Sequence, residues 1–193
     1  MYIFLYTYYY TLYRNTRSLK GCGILYTLTA LEDWITKRYF RLGIKTAQDI
    51  EVSRLAYVHS IYIHYKQMPS RYDIYGRYRG IVLDARCSPE EQREQFFHEL
   101  CHILRHAGHQ TMMPEAFRQL QEWDANHFTM YASLPYFMVR EYDFNDPYLI
   151  HDLAEDFKVT EHLAKKRMEH IERNMLHRQL LVAEQKPVYN GLT

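Results

Sequence analysis

The sequence predicts an α+β fold, with a small β-sheet packed on a mainly helical domain that ends in a helical hairpin. Three observations carry that prediction. Apolar residues recur at helical spacing over several segments, and two runs of β-branched and aromatic residues interrupt them. A complete helix-start signal, Ser88-Pro89-Glu90-Glu91, opens a helical stretch apolar enough to lie in the core.

Residues 1–27 are expected to form a poorly structured N-terminal extension. Tyr2 to Tyr13 is an almost unbroken aromatic and aliphatic run, but it is too short to span a bilayer. A secretory signal would place positive charge ahead of the apolar stretch, and here Arg14, Arg17 and Lys20 follow it. A single domain, 28–193, is expected to take the remainder, a length that can bury a real core. Its first helix runs from Leu28 to Leu42, with Leu28, Leu31, Ile35, Tyr39 and Leu42 on one face and Gly43 where a C-cap belongs. Tyr57 to Tyr65 and Tyr78 to Asp84 read as strands, separated by a turn-like stretch around Pro69, Ser70 and Gly76.

In the next helix Ser88 caps, Pro89 suits the first helical position and Glu91 completes a capping box. Phe96, Phe97, Leu100, Ile103 and Leu104 make it apolar enough for the core, and Gly108 marks its end. A further helix runs from Pro114 to Leu134, where Pro135 stops it. After an acidic, aromatic loop, Tyr148 to Asp156 and Thr160 to Leu181 form two helices around a turn at Phe157-Lys158-Val159, so that 147–183 has the outline of a helix-turn-helix.

Lys and Arg total 24 against 23 Asp and Glu, so no overall sign draws the surface onto nucleic acid or an acidic membrane. Cys22, Cys87 and Cys101 are odd in number and widely spaced, which argues against a disulfide framework or a thiolate zinc knuckle and points to the reducing cytoplasm.

The chemistry concentrates at His98-Glu99-Leu100-Cys101-His102. On a helix, His98 and His102 lie one turn apart on the same face, so both imidazoles can reach one metal while Glu99 is offset to meet a water. Zn2+ held by neutral imidazoles and a carboxylate, with one position open, acidifies a water and polarises a peptide carbonyl. Glu99 is then the catalytic base that takes the water's proton and passes it to the departing amine. A third ligand is needed, and the long metzincin pattern fails, since Arg105 and Gly108 stand where its Gly and His would be. His106 does not replace them: histidines eight residues apart are separated by roughly 12 Å of helix axis. Glu122 is the preferred third ligand, because Ala125, Asn126, Thr129, Ala132 and Ser133 share its side of the next helix and would allow close approach. Asn126, one turn on, would orient a ligating histidine from behind. Asp124, on the opposite stripe with Phe117, Leu120, Phe128 and Tyr131, is the competing carboxylate.

Phe96-Phe97-His-Glu-Leu-Cys-His-Ile-Leu-Arg-His106, followed by Glu122-Trp-Asp-Ala-Asn-His-Phe128 and Leu134-Pro135, resembles the ImmA/IrrE family of metallo-endopeptidases over about residues 28–173. The resemblance implies a zincin-like fold, zinc at His98, His102 and Glu122, and Glu99 as base. It also implies a protein substrate, a partner transcriptional repressor often encoded beside the peptidase on a prophage or mobile element. Cys101 departs from the family's usual Gly; as a fourth ligand it would close the site, whereas a free cysteine is ordinarily a small buried hydrophobe. Tyr131, Tyr136 and His151 are candidates for stabilising the charge that develops in acyl transfer, without a sequence feature that selects one.

Two rival readings belong to other classes. In a DNA-binding helix-turn-helix, Lys165, Lys166 and Arg167 would meet phosphates, but Glu161 and the acidic preceding helix oppose this, so direct nucleic-acid binding is not expected. A non-catalytic zinc-binding interaction module would have no need of Glu99.

Overall fold

The computed structural model describes residues 26–106 and 114–184. The N-terminal extension lies outside the described residues except for Tyr26 and Thr27, and these two belong to the packed structure. The Tyr26 ring stacks on Tyr136 with centroids 3.8 Å apart. Thr27 exchanges two hydrogen bonds with Asn174, its N–H donating to Oδ1 and its carbonyl accepting from Nδ2.

The fold is α+β, as the sequence predicts. Helix α1, Ala30–Arg41, opens on a capping box between Thr29 and Glu32. It closes as anticipated at Gly43, which takes φ 71°, while Gly43 N–H reaches Phe40 O and Ile44 N–H reaches Tyr39 O. Those two bonds form a Schellman motif, which satisfies carbonyls that the helix end would otherwise orphan.

The strand expected from Tyr57 is corrected at its start. After a short 3-10 turn at Ala47–Asp49, Val52–Val58 is a helix, α2. It buries only Leu55 and Ala56 and leaves Tyr57 exposed. Two inward residues are too few to show a 3.6 period, so β-branched and aromatic composition suggested a strand. The helix ends at Ser60 in the left-handed region, φ 54°, and β1 is Tyr62–Lys66.

A second correction concerns the stretch around Pro69 to Gly76, which contains strand β2, Arg71–Tyr75. With β3, Tyr78–Asp84, it makes a hairpin whose two-residue loop starts at Gly76 with φ 59°, the conformation that favours glycine there. The strand order is β1-β3-β2, with β1 parallel and β2 antiparallel to the central strand. Ile81, Val82 and Leu83 of β3 are buried. The edge position of β2 explains its polar composition, since charged residues suit a strand with one unpaired side.

Helix α3, Pro89–Arg105, starts with the anticipated capping box, Glu91 N–H donating to Ser88 Oγ and Ser88 N–H to Glu91 Oε2. It leaves the helical conformation at His106 rather than at Gly108, which lies outside the described residues. Phe96 and Phe97 are fully buried, each worth roughly 2–3 kcal/mol of transfer free energy. Helix α4, Glu115–Ser133, packs along α3, with Ala125 and Ala132 buried. Pro135 ends it, and a single turn, α5, Tyr136–Val139, follows.

Helices α6, Leu149–Phe157, and α7, Glu161–Glu184, form the C-terminal hairpin, with Lys158 at φ 54° in the turn. The hairpin packs on the rest of the fold. Arg167 is fully buried, donating to Glu32 Oε1 at 2.7 Å and to Leu134 O at 2.9 Å. One of the three cations required by the DNA-binding reading is therefore inside the protein. No helix among the described residues is long and apolar enough to cross a membrane.

Candidate metal centre

Two neighbouring elements build the site. Within α3, the four-residue spacing brings the Nε2 atoms of His98 and His102 to 3.2 Å. Across the interface, α4 places Glu122 Oε2 3.1 Å from His98 Nε2 and Oε1 3.4 Å from His102 Nε2. Buried Ala125, one turn beyond Glu122, lets the helices approach this closely. Asp124 faces elsewhere, toward Arg105 and His106. The third-ligand alternatives left open by the sequence thus differ in position: Glu122 stands beside both imidazoles and Asp124 does not.

These spacings fit a small divalent cation. Tetrahedral zinc with nitrogen and oxygen ligands at about 2.0–2.1 Å requires ligand atoms roughly 3.3–3.4 Å apart, and the three measured edges run from 3.1 to 3.4 Å. The donor set of two imidazoles and a carboxylate leaves a fourth position open, as catalytic zinc sites do.

The protonation states suit the same role. Burial depresses the His102 imidazole to about 4, with His98 and His106 adding to the effect and Glu122 opposing it, so the ring is neutral. Only a neutral imidazole has a lone pair for a metal. Its face is covered by Tyr72, stacked at 5.2 Å. Glu99 is only 5% exposed and accepts a hydrogen bond from Ser70 Oγ at 2.9 Å and another from the Tyr72 backbone N–H. Burial pushes its carboxyl up to about 7, Glu122 adding to the rise and the Ser70 and Tyr72 donors opposing it. A cation at the imidazoles would also oppose it.

His98, Glu99, His102 and Glu122 line one cleft of about 1060 Å³, together with the whole of β2 and with His162 and Lys166 from α7. Asn126 also lines the cleft, a turn beyond Glu122. The inner nitrogen of His102 meets His106 instead. Ser70, just before β2, and Tyr72 within it escaped the sequence expectation because the stretch resembled a turn, and no local signal marks them. Cys101 is buried with its Sγ 3.7 Å from Asp124 Oδ2, in a second cluster with His106 rather than among His98, His102 and Glu122.

Of the three candidates for stabilising developing charge, none lines the cleft. The Tyr131 hydroxyl pairs with His170, Tyr136 stacks on Tyr26, and His151 is exposed beside Glu161.

Residues 49–169 match the profile of Peptidase_M78, described as the IrrE N-terminal-like domain. The phage-like element PBSX protein XkdA of Bacillus subtilis (strain 168) is 36% identical over 148 residues, covering 76% of this chain and 75% of that protein. The uncharacterized protein YqaB of the same strain is 35% identical over 147 residues, 74% of this chain and 84% of its own length.

Proposed function

Because the chain belongs to the Peptidase_M78 family, a family of metallopeptidase type, we propose that it is a zinc-dependent endopeptidase that cleaves a transcriptional repressor of a prophage or mobile element. The observation that carries this reading is the triangle of His98, His102 and Glu122 at tetrahedral ligand spacing with buried Glu99 in the same cleft.

His98, His102 and Glu122 would hold the metal, which when bound supplies Lewis acidity to a water and to the scissile carbonyl. The protein's own residues do the rest. Glu99 removes a proton from the attacking water as the new C–O bond forms and then delivers it to the amide nitrogen, so that the peptide C–N bond breaks and the amine departs neutral. Ser70 and the Tyr72 N–H hold the carboxylate in one orientation, and burial tunes it toward neutral operation. Among the described residues β2 is paired on one side only, so past Tyr72, whose N–H meets Glu99, its outer backbone groups would be available to an extended peptide along the cleft. The repressor reading is supported by the resemblance to the ImmA/IrrE family, in which cleavage of a partner repressor is a common role, and by the phage-like element in the name of XkdA. Such a target places the reaction in the cytoplasm.

The test is metal content by elemental mass spectrometry on wild type, Glu122→Ala, Asp124→Ala and Glu99→Ala, alongside cleavage of the repressor encoded next to the gene. Zinc near one per chain, lost in Glu122→Ala and retained in an inactive Glu99→Ala, is the expected pattern, with cleavage reduced at least ~10²-fold in Glu99→Ala. Folded wild type without zinc, or cleavage indifferent to Glu99→Ala, would overturn the reading.

A further inference from the structure

We propose that His106 is a positioning residue which, anchored by Asp124 and Arg105, locks His102 into the tautomer that presents its Nε2 lone pair to the metal. This rests on the reading of His102 as a ligand.

A neutral imidazole carries one proton, on Nδ1 or Nε2. His102 Nε2 faces His98 and Glu122 at 3.2 and 3.4 Å. If it binds metal it is unprotonated, and the proton is on Nδ1. That Nδ1 lies 2.9 Å from His106 Nδ1. Of two nitrogens sharing a hydrogen bond one donates and the other accepts, so His106 Nδ1 must be bare and its proton must be on Nε2.

For a neutral His106 ring, the far side imposes the same tautomer. Its Nε2 lies 3.1 Å from Asp124 Oδ2, and a carboxylate only accepts. The chain therefore has one direction: His102 Nδ1–H donates to His106 Nδ1, and His106 Nε2–H donates to Asp124. Its end is fixed by Arg105, whose Nε and terminal nitrogen grip the two Asp124 oxygens at 2.7 and 3.2 Å. Arg105 in turn lies over the Trp34 ring of α1, 5.6 Å from its centroid. Three helices thus converge on one imidazole orientation.

The backbone makes this arrangement available. His106 is the residue at which α3 ends, with extended φ −108° and ψ 133°, while its N–H still donates to His102 O. The cluster of Cys101, His106 and Asp124 has donor atoms close enough for a second cation. Its atoms are already engaged, however: both Asp124 oxygens by Arg105, and His106 Nε2 by Asp124 Oδ2.

The experiment measures zinc affinity and stoichiometry of the full chain by competition with a chromophoric chelator. It compares wild type with His106→Ala, His106→Gln and His102→Ala. Long-range ¹H–¹⁵N spectra of the zinc-loaded wild type read the histidine tautomers directly and do not depend on any variant folding. One zinc per chain is expected, bound about 10–100-fold more weakly in His106→Ala. His106→Gln, which retains an acceptor and a donor, should recover most of that loss, and His106 should carry its proton on Nε2. The proposal is overturned by an unchanged affinity in His106→Ala, by a protonated His106 Nδ1, or by a second zinc that disappears with His106→Ala. Undiminished zinc binding in His102→Ala would instead sink the ligand reading beneath it.

Discussion

Replacing Arg167 with methionine should destabilise the fold severely, although the residue lies on a helix whose neighbours Lys165 and Lys166 are exposed. The Arg167 side chain is 0% exposed and its partner Glu32 is 2% exposed. The guanidinium bonds Glu32 Oε1, closes the C-terminus of α4 at Leu134 O, and lies 4.8 Å over the Tyr131 ring. Methionine fills much of the volume but leaves the Glu32 charge buried with only the Tyr26 hydroxyl and the Thr29 N–H. Stranding one member of a buried pair costs about 3–5 kcal/mol. For a chain of this size that lowers Tm by roughly 6–20 °C. Removing both charges in Glu32→Gln/Arg167→Met should recover a large part, because no buried ion then lacks a partner. Urea unfolding followed by the fluorescence of Trp34 and Trp123 gives the free energies. A loss below about 1 kcal/mol in Arg167→Met would refute the argument, since it would mean that the pair is open to water.

The same pair predicts a pH dependence. Burial raises the Glu32 carboxyl, but Arg167, the Tyr26 hydroxyl and the Thr29 N–H outweigh it and hold it below the ordinary carboxylate range. Its contribution is therefore full above the unfolded value of about 4.3 and is lost as pH falls through the lower folded value; a stability gap between wild type and the double variant that failed to close on acidification would contradict this. Ser88→Ala removes one half of the α3 capping box, and urea unfolding should show a loss of about 1 kcal/mol with zinc content unchanged. Zinc at ~100 times its dissociation constant should stabilise the wild type by about 2.7 kcal/mol, seen as a rise in Tm that Glu122→Ala abolishes.

The capped start of α3, the end of α1 and the relation between His98 and His102 were legible in the sequence because they are short-range. A capping box spans four residues, a Schellman end needs only Gly43, and two histidines four apart share a face on any helix. The errors fell where local signals were weak or misleading. Val52–Val58 is too short to display its period, and β2 is a polar edge strand whose identity depends on its pairing with β3.

Sequence alone thus determined the α+β class, the capped α3 helix, and a pair of imidazoles with a neighbouring carboxylate. The tertiary structure decided which acidic side chain lies beside them. Glu122 and Asp124 are two residues apart on α4; the helical period puts them on different sides and favours Glu122, but the packing of α4 on α3 is what brings Glu122 to the imidazoles and Asp124 to Arg105 and His106. It also decided that Arg167 is a buried tie to Glu32 and that His106 turns back onto His102. The Glu122 and Arg167 outcomes depend on contacts between separate elements, and the His106 outcome on the extended backbone at which α3 ends, none of which a helical period specifies.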